Sequence, residues 1–235
     1  MQRTKILLKV GGSLLFGPEG PNESYLSELV RFLLETNAFG AVVVGGGLPA
    51  RKFVNAARKL GVNEAACDVL GIYQARLNAR LLISALLAAG GRPYPEPPRG
   101  VEELSLAVAC EKLPVMGGFQ PGQSTTSVAF ESAEFLGLRE VWILTDVEGI
   151  FDSDPKTNPD AKLQREVTSS GLRELIEAGS AAAGEYRIFD SVSLKVLERA
   201  GLRARVLPGA DLERLKELTV NPATQLGTLV VSKED

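Results

Sequence analysis

The chain has 235 residues, 45% apolar and 23% charged, with a formal net charge of −3. This is enough length and apolar content for one large α/β domain or two closely packed lobes, and it excludes a disordered chain. The charges are interspersed without the basic footprint of a nucleic-acid binder, and the absence of histidine excludes the Ser–His and Zn–His enzyme classes.

Cys67 and Cys110 stand far apart without metal-ligand spacing, which predicts two buried thiols in a reducing compartment. The lead from Met1 to Val10 lacks the apolar core and cleavage site of a signal peptide, and no apolar run reaches membrane-spanning length. A cytoplasmic protein with no membrane or nucleic-acid partner is expected.

In chain order, Lys5–Val10 (KILLKV) reads as a first strand closed by Gly11, Gly12 and Ser13. Lys9 ends that strand, so an ammonium and bare amides would face one spot, a combination suited to a phosphate group; a solvated lysine is the other reading of this residue alone. Tyr25–Leu34 spaces its apolar residues as one helix face, and Val42–Val44 is a second strand, which together argue a right-handed parallel crossover.

The stretch AVVVGGGLPAR, Ala41–Arg51, is the most informative. A β-branched run ends in three glycines, and a helix over Leu48–Leu60 follows at once. Bare N–H groups and the positive end of a helix dipole would then point at an anion. Arg51 offers a fork for phosphate oxygens or is a solvated helix charge.

Glu64–Ala89 predicts a long helix interrupted only by Gly71. Asp68 near its start is a first-turn carboxylate favoured by the dipole. Gly90–Gly100 is a proline-rich loop with a brief edge strand around Tyr94, and Leu113–Met116 is a short strand. The loop Gly117–Gln123 then leads into a helix capped near Ser124 or Thr125, whose hydroxyls either cap the helix or join its orphan amides around a phosphate.

Val141–Leu144 is a strand and Thr145–Pro159 a long acidic loop containing the aromatic Phe151. Helices over Ser170–Ala178 and Asp190–Ala200, a strand over Ala204–Leu207, a helix over Asp211–Leu218 and a closing strand over Gly227–Val231 complete the pattern. The whole predicts a three-layer α/β/α sandwich around a mainly parallel sheet, a single domain with lobes of about 1–137 and 138–235. Neither a P-loop nor the spaced glycines of dinucleotide binders occur, so phosphate binding needs another architecture.

The segments LLKVGGS, VVVGGGLPARK, GIYQARLNA, VMGGFQPGQSTT and TDVEGIF occur in the order found in the amino acid kinase superfamily, with its carbamate kinase-like fold. Their combination resembles the archaeal UMP kinase group, particularly its crenarchaeal members. That resemblance implies transfer of the γ-phosphoryl group of ATP to UMP, with Mg2+ bound through the nucleotide phosphates and no protein metal ligand. It assigns ATP to Lys9, Val10, Gly11, Gly12, Ser13, Gly47, Arg51, Thr145, Phe151 and Asp154. It assigns UMP to Gly46, Asp68, Phe119, Gln120, Pro121, Gly122, Gln123, Ser124 and Thr125. Lys9, Arg51 and Lys195 would act on the transferred group, with Lys162 a second choice to Lys195, and a homohexamer built as a trimer of dimers is implied.

The chain departs from the group at Thr126, where relatives carry an acid, and at Asp146, Glu148 and Phe151, where they often carry Asn, Asp and Tyr. Two competitors follow: a superfamily kinase with a carboxylate acceptor, as in acetylglutamate kinases, and a non-catalytic nucleotide or oxyanion storage protein. Isopentenyl phosphate kinases, which rely on a histidine, are disfavoured.

Overall fold

The computed structural model describes residues 5–153, 158–177 and 188–232. The first half runs β1 (Ile6–Val10), α1 (Gly12–Leu15), the hairpin β2 (Phe16–Gly17) and β3 (Gly20–Pro21), α2 (Glu23–Glu35), β4 (Phe39–Val44), α3 (Gly47–Lys59), α4 (Glu64–Ala88), α5 (Val101–Ala109), β5 (Val115–Met116) and α6 (Thr125–Phe135). The second runs β6 (Glu140–Thr145), the hairpin β7 (Ile150–Phe151) and β8 (Leu163–Gln164), β9 (Glu166–Thr168), α7 (Ser169–Glu177), α8 (Ser191–Ala200), β10 (Arg203–Pro208), α9 (Leu212–Val220) and β11 (Thr228–Val231).

Among the described residues the main sheet has the order β5-β4-β1-β6-β10-β11-β9. The first five strands are parallel, and β11 runs antiparallel to β10. Successive strand residues point to opposite faces, so each apolar strand feeds two cores. Leu8, Val10, Val42, Val44, Trp142 and Leu144 face one core, with α2, α4 and α9. Leu7, Val43, Met116, Val141 and Ile143 face the other, with α6 and α8. The expected three-layer sandwich is therefore present, and β6 joins the two halves of the chain by pairing directly with β1.

Local chemistry sets the helix starts. Asn22 and Asn63 accept from Tyr25 N–H (3.2 Å) and Ala66 N–H (3.0 Å), capping α2 and α4. Asp190, read above as the first helical residue, is the cap of α8, bonded to Ser193 in both directions. Each such cap is worth ~1 kcal/mol.

The structure corrects several expectations. The helix α5 was not anticipated, because Leu106 and Val108 are exposed and blur its amphipathic pattern. The hairpins and β9 are too short to show a period of two. The edge strand near Tyr94 reduces to one bridge between Pro93 and Leu113. Cys67 is buried as expected, but Cys110 ends α5 and is exposed. Ala178, the expected end of α7, lies outside the described residues.

Leu82 is fully buried beneath the sheet on α4, so Leu82→Ala should lower unfolding free energy by ~2–5 kcal/mol in denaturant titration. A loss below ~1 kcal/mol would show that α4 is not packed as described.

Candidate active site: a glycine-lined cleft

The carboxyl ends of β1, β4 and β6 meet at one cleft. Its walls are Lys9, Gly11, Gly12 and Ser13 from the first turn, Gly45, Gly46, Gly47 and Arg51 from the second, with Thr125, Ile143, Thr145 and Ile188. From β1 the chain goes to β4 on one side and later to β6 on the other. Ligands of open α/β sheets sit at such a reversal. Its volume is about 170 Å3, on the scale of phosphate groups. A larger cavity of about 910 Å3 lies at the amino ends of the strands among Leu33, Phe39, Leu86 and Leu113, away from these glycine turns.

The glycines are required by contact as well as by ligand access. A Cβ on Gly12 would lie 2.1 Å from Gly47 N, and one on Gly47 would lie 2.5 Å from Gly12 O. Gly47 also has φ +66°, a left-handed conformation that L side chains rarely adopt. The two turns therefore touch backbone to backbone, with Gly45 N–H donating to Val10 O at 3.0 Å. Val10 itself points into the core, so it offers only main-chain atoms here.

Lys9 is half-buried, and desolvation lowers its pKa from 10.5 to about 8, opposed by the negative charge of Asp146. An anion in the cleft would restore the ammonium. Arg51 stands exposed on the second turn of α3, at the cleft wall. Thr145 is buried at the end of β6 and donates to the exposed Asp146 at 3.2 Å.

Alongside runs the loop between β5 and α6. Gly122 N–H donates to Asp68 Oδ2 at 2.8 Å, so one carboxylate oxygen of Asp68 is engaged in the protein. Phe119 is half-buried, Gln120, Pro121 and Gly122 are exposed, and Ser124 caps α6 by accepting from Ser127 N–H at 3.1 Å. Gln123 donates to Glu131 at 2.8 Å, while its buried Oε1 has no partner among the described residues.

Not every candidate reaches the cleft. Phe151 is half-buried in the β7–β8 hairpin, which Thr228 ties to β11 through Ile150 N–H and Gln164 O. Lys195 is exposed on α8 and Lys162 is exposed beside Asp152; neither lines the enclosed cleft. Asp154 lies outside the described residues.

Other residues were missed. Asn78 and Arg76 on α4 hold the two loops, through Gly45 O and Gly46 O and through Gly118 O and Phe119 O respectively. Asp190 ties α8 to α6 by accepting from Ser127 Oγ at 2.7 Å. Burial pushes its carboxyl pKa up, but hydrogen bonds from Ser124, Ser193 and Ser127 outweigh this and hold it below the usual range. The available signal for Asn78 was a lone amide within the apolar stripe Ala75, Ala79, Leu82 and Leu86.

Parallel strands ending in glycine turns, with one lysine at their focus, form an arrangement suited to phosphate groups, whose oxygens main-chain N–H groups can bind. Comparison with known proteins is specific: residues 4–208 match the model of the amino acid kinase family, and the chain belongs to that family. Uridylate kinase of Hyperthermus butylicus is 36% identical over 98% of this chain and 99% of its own length. Uridylate kinase of Thermofilum pendens is 42% identical over 86% and 88%. The crystal structure of uridylate kinase from Archaeoglobus fulgidus superposes with a TM-score of 0.81 at 28% identity, covering 96% of this chain and 99% of that one.

The affinity of the cleft for a polyphosphate probe should fall as pH rises through about 8, because Lys9 loses its charge there. The free protein should show the opposite trend. Unfolded Lys9 keeps its proton to 10.5, so folded-state stability rises with pH between about 8 and 10.5. Calorimetry of wild type and Lys9→Met checks both; slopes equal in the two proteins would contradict the assignment.

Proposed function

We propose that this protein transfers the γ-phosphoryl group of ATP to UMP, giving ADP and UDP, and so supplies pyrimidine nucleoside diphosphates. An ionised UMP phosphate oxygen forms the new bond to Pγ while the bond from Pγ to the bridging oxygen breaks, and the departing pair stays on ADP. No general base is needed, because the nucleophile carries no proton. The observation that carries this reading is the convergence of Lys9 with the amide-rich turns of β1 and β4 in one cleft. The names of the relatives support the choice of acceptor.

Catalysis then rests on placement and on fixed donors around the equatorial oxygens of the transferred group. Lys9, Gly12, Ser13 and Gly47 hold the ATP phosphates beside the main chain of Val10 and Gly11, whose Gly11 N–H is spent on Leu144 O at 2.8 Å, and Thr145, Phe151 and Asp154 form the adenosine side in the lobe 138–235. Gly46, Asp68 and the loop from Phe119 to Thr125 hold UMP in the lobe 1–137. The unpaired Gln123 Oε1 is an acceptor suited to the N3–H of uracil and unsuited to cytosine, whose N3 carries no proton. Arg51, on the cleft wall, is placed to act as a cation on the transferred group; Lys195, the second cation the resemblance implies, is exposed on α8 outside the cleft.

Mg2+ fits as a ligand of the nucleotide phosphates, since the enclosed cleft presents amides, hydroxyls and cations. Bound there, it would neutralise phosphate charge. A cytoplasmic location belongs to this reading; among the described residues no helix is long and apolar enough to cross a membrane.

The outer face of α3 and α4 exposes Phe53 (60%), Tyr73 (62%) and Leu77 (61%). Tyr73, Leu77 and Leu81 recur every four residues, an apolar stripe of the kind that marks an interface. We place the dimer contact of a homohexamer, a trimer of dimers, on this face. Light scattering should give a hexamer, with smaller species for Leu77→Lys; a monomeric wild type would contradict the assembly.

A coupled assay with UMP, CMP, acetylglutamate and aspartate tests the activity, and UMP should be strongly preferred. Lys9→Ala should lower kcat ~10²–10³-fold with the KM for UMP within about threefold. Unchanged turnover removes Lys9 from the mechanism.

A further inference from the structure

Asn78 lies about four turns into α4, 1% exposed, where every neighbouring buried position is apolar. A buried amide is costly unless its hydrogen bonds are made. Its Nδ2 donates to Gly45 O at 2.8 Å and to Gly46 O at 3.2 Å, while its Oδ1 accepts from Gln74 Nε2 at 2.8 Å. Both loop neighbours are carbonyl oxygens, so the amide must turn its NH2 group toward them, and Gln74 fixes that orientation from the preceding turn.

The consequence follows from peptide geometry. In a planar trans peptide the C=O of one residue and the N–H of the next point in opposite directions. Holding the carbonyls of Gly45 and Gly46 down against α4 therefore aims the N–H groups of Gly46 and Gly47 the other way, toward the cleft that these residues line. Those amides stand at the start of α3, where N–H groups have no partner inside the helix. Glycine peptides rotate easily, and a flip would replace each donor by a carbonyl oxygen facing phosphate.

We infer that Asn78 is a positioning residue for phosphoryl transfer: through two hydrogen bonds it locks the peptides of the triple-glycine turn with their N–H groups facing the transferred phosphate, and Gln74 holds it in that state. The role rests on the kinase reading above. It is distinct from binding, because Asn78 sits behind the loop and touches no ligand space. Its effect belongs to the charge-bearing transition state, where fixed donors matter most, so kcat carries it and KM largely does not.

The test is steady-state kinetics on Asn78→Leu, which keeps the volume and removes the donors, and on Gln74→Met, which leaves Asn78 in place but unanchored. Rates are normalised to folded protein by thermal unfolding. The expected result is a kcat ~10–100-fold lower for Asn78→Leu and ~3–10-fold lower for Gln74→Met, with both KM values within about threefold. A merely structural role would lower the folded fraction and the melting temperature but leave kcat per folded molecule unchanged, and kcat within about twofold of wild type would overturn the inference. If Asn78→Leu does not fold, Gln74→Met decides by the same criterion. Failure of the wild type to phosphorylate UMP would sink the kinase reading instead, which keeps the two failures apart.

Discussion

Two peptide backbones touching without side chains between them is the constraint on which this structure depends. The turn after β1 and the turn after β4 approach so closely that a single added methyl at Gly12 would overlap the amide nitrogen of Gly47. That contact is possible only because β1 and β4 are adjacent parallel strands in register, Lys9 beside Val43 and Val10 beside Val44. Both turns therefore leave the sheet at the same level, and their amides share one space.

The helix α4 is the second organising element, lying under both glycine-bearing loops. Gly117 fits against it so tightly that a Cβ there would sit 2.5 Å from Ala75 C, and Gly118 approaches Ile72 in the same way. Arg76 then takes the carbonyls of Gly118 and Phe119 at 3.0 and 2.9 Å, Asn78 those of the triple-glycine turn, and Asp68 the Gly122 amide. A rigid helix thus sets the orientation of loops that would otherwise be free to rotate, which is the requirement for preorganised donors. Lys9 is held on the opposite principle. Desolvation makes its ammonium costly, and a polyanion beside it would relieve that cost, so burial that weakens the lysine's own basicity would strengthen charge recognition.

Much of the fold was legible in the sequence, for identifiable reasons. KILLKV and AVVVGGG announce buried strands with glycine ends, and the run after Asn63, interrupted only by Gly71, announces α4 to within a residue of its end. The glycine side of the cleft followed from those same signals, since Lys9 and the glycines sit at strand ends and Thr125 at a helix start; Arg51 lies a turn further into α3, and Thr145 came with the family resemblance. What stayed hidden depends on tertiary contact. Asn78 interrupts an apolar stripe, but what its amide holds is fixed only when the helix is laid against the loop. The role of Asp190 beyond its cap needs α6 alongside α8. The short hairpin carrying Phe151 is fixed by Thr228, 78 residues from Ile150. Cys110 was misplaced because a short helix with an exposed apolar flank gives no burial pattern.

The central claim is that main-chain donors from two touching turns, together with one ammonium, hold the phosphates of two nucleotides end to end. A crystal structure with UMP and a non-hydrolysable ATP analogue tests it most directly. The account requires the terminal phosphate of the analogue within hydrogen-bonding distance of Lys9 Nζ and of the amides of Gly12 and Gly47, facing the UMP phosphate. Nucleotide phosphates bound at the amino ends of the strands, or a cleft in which those amides turn away from the ligand, would contradict it.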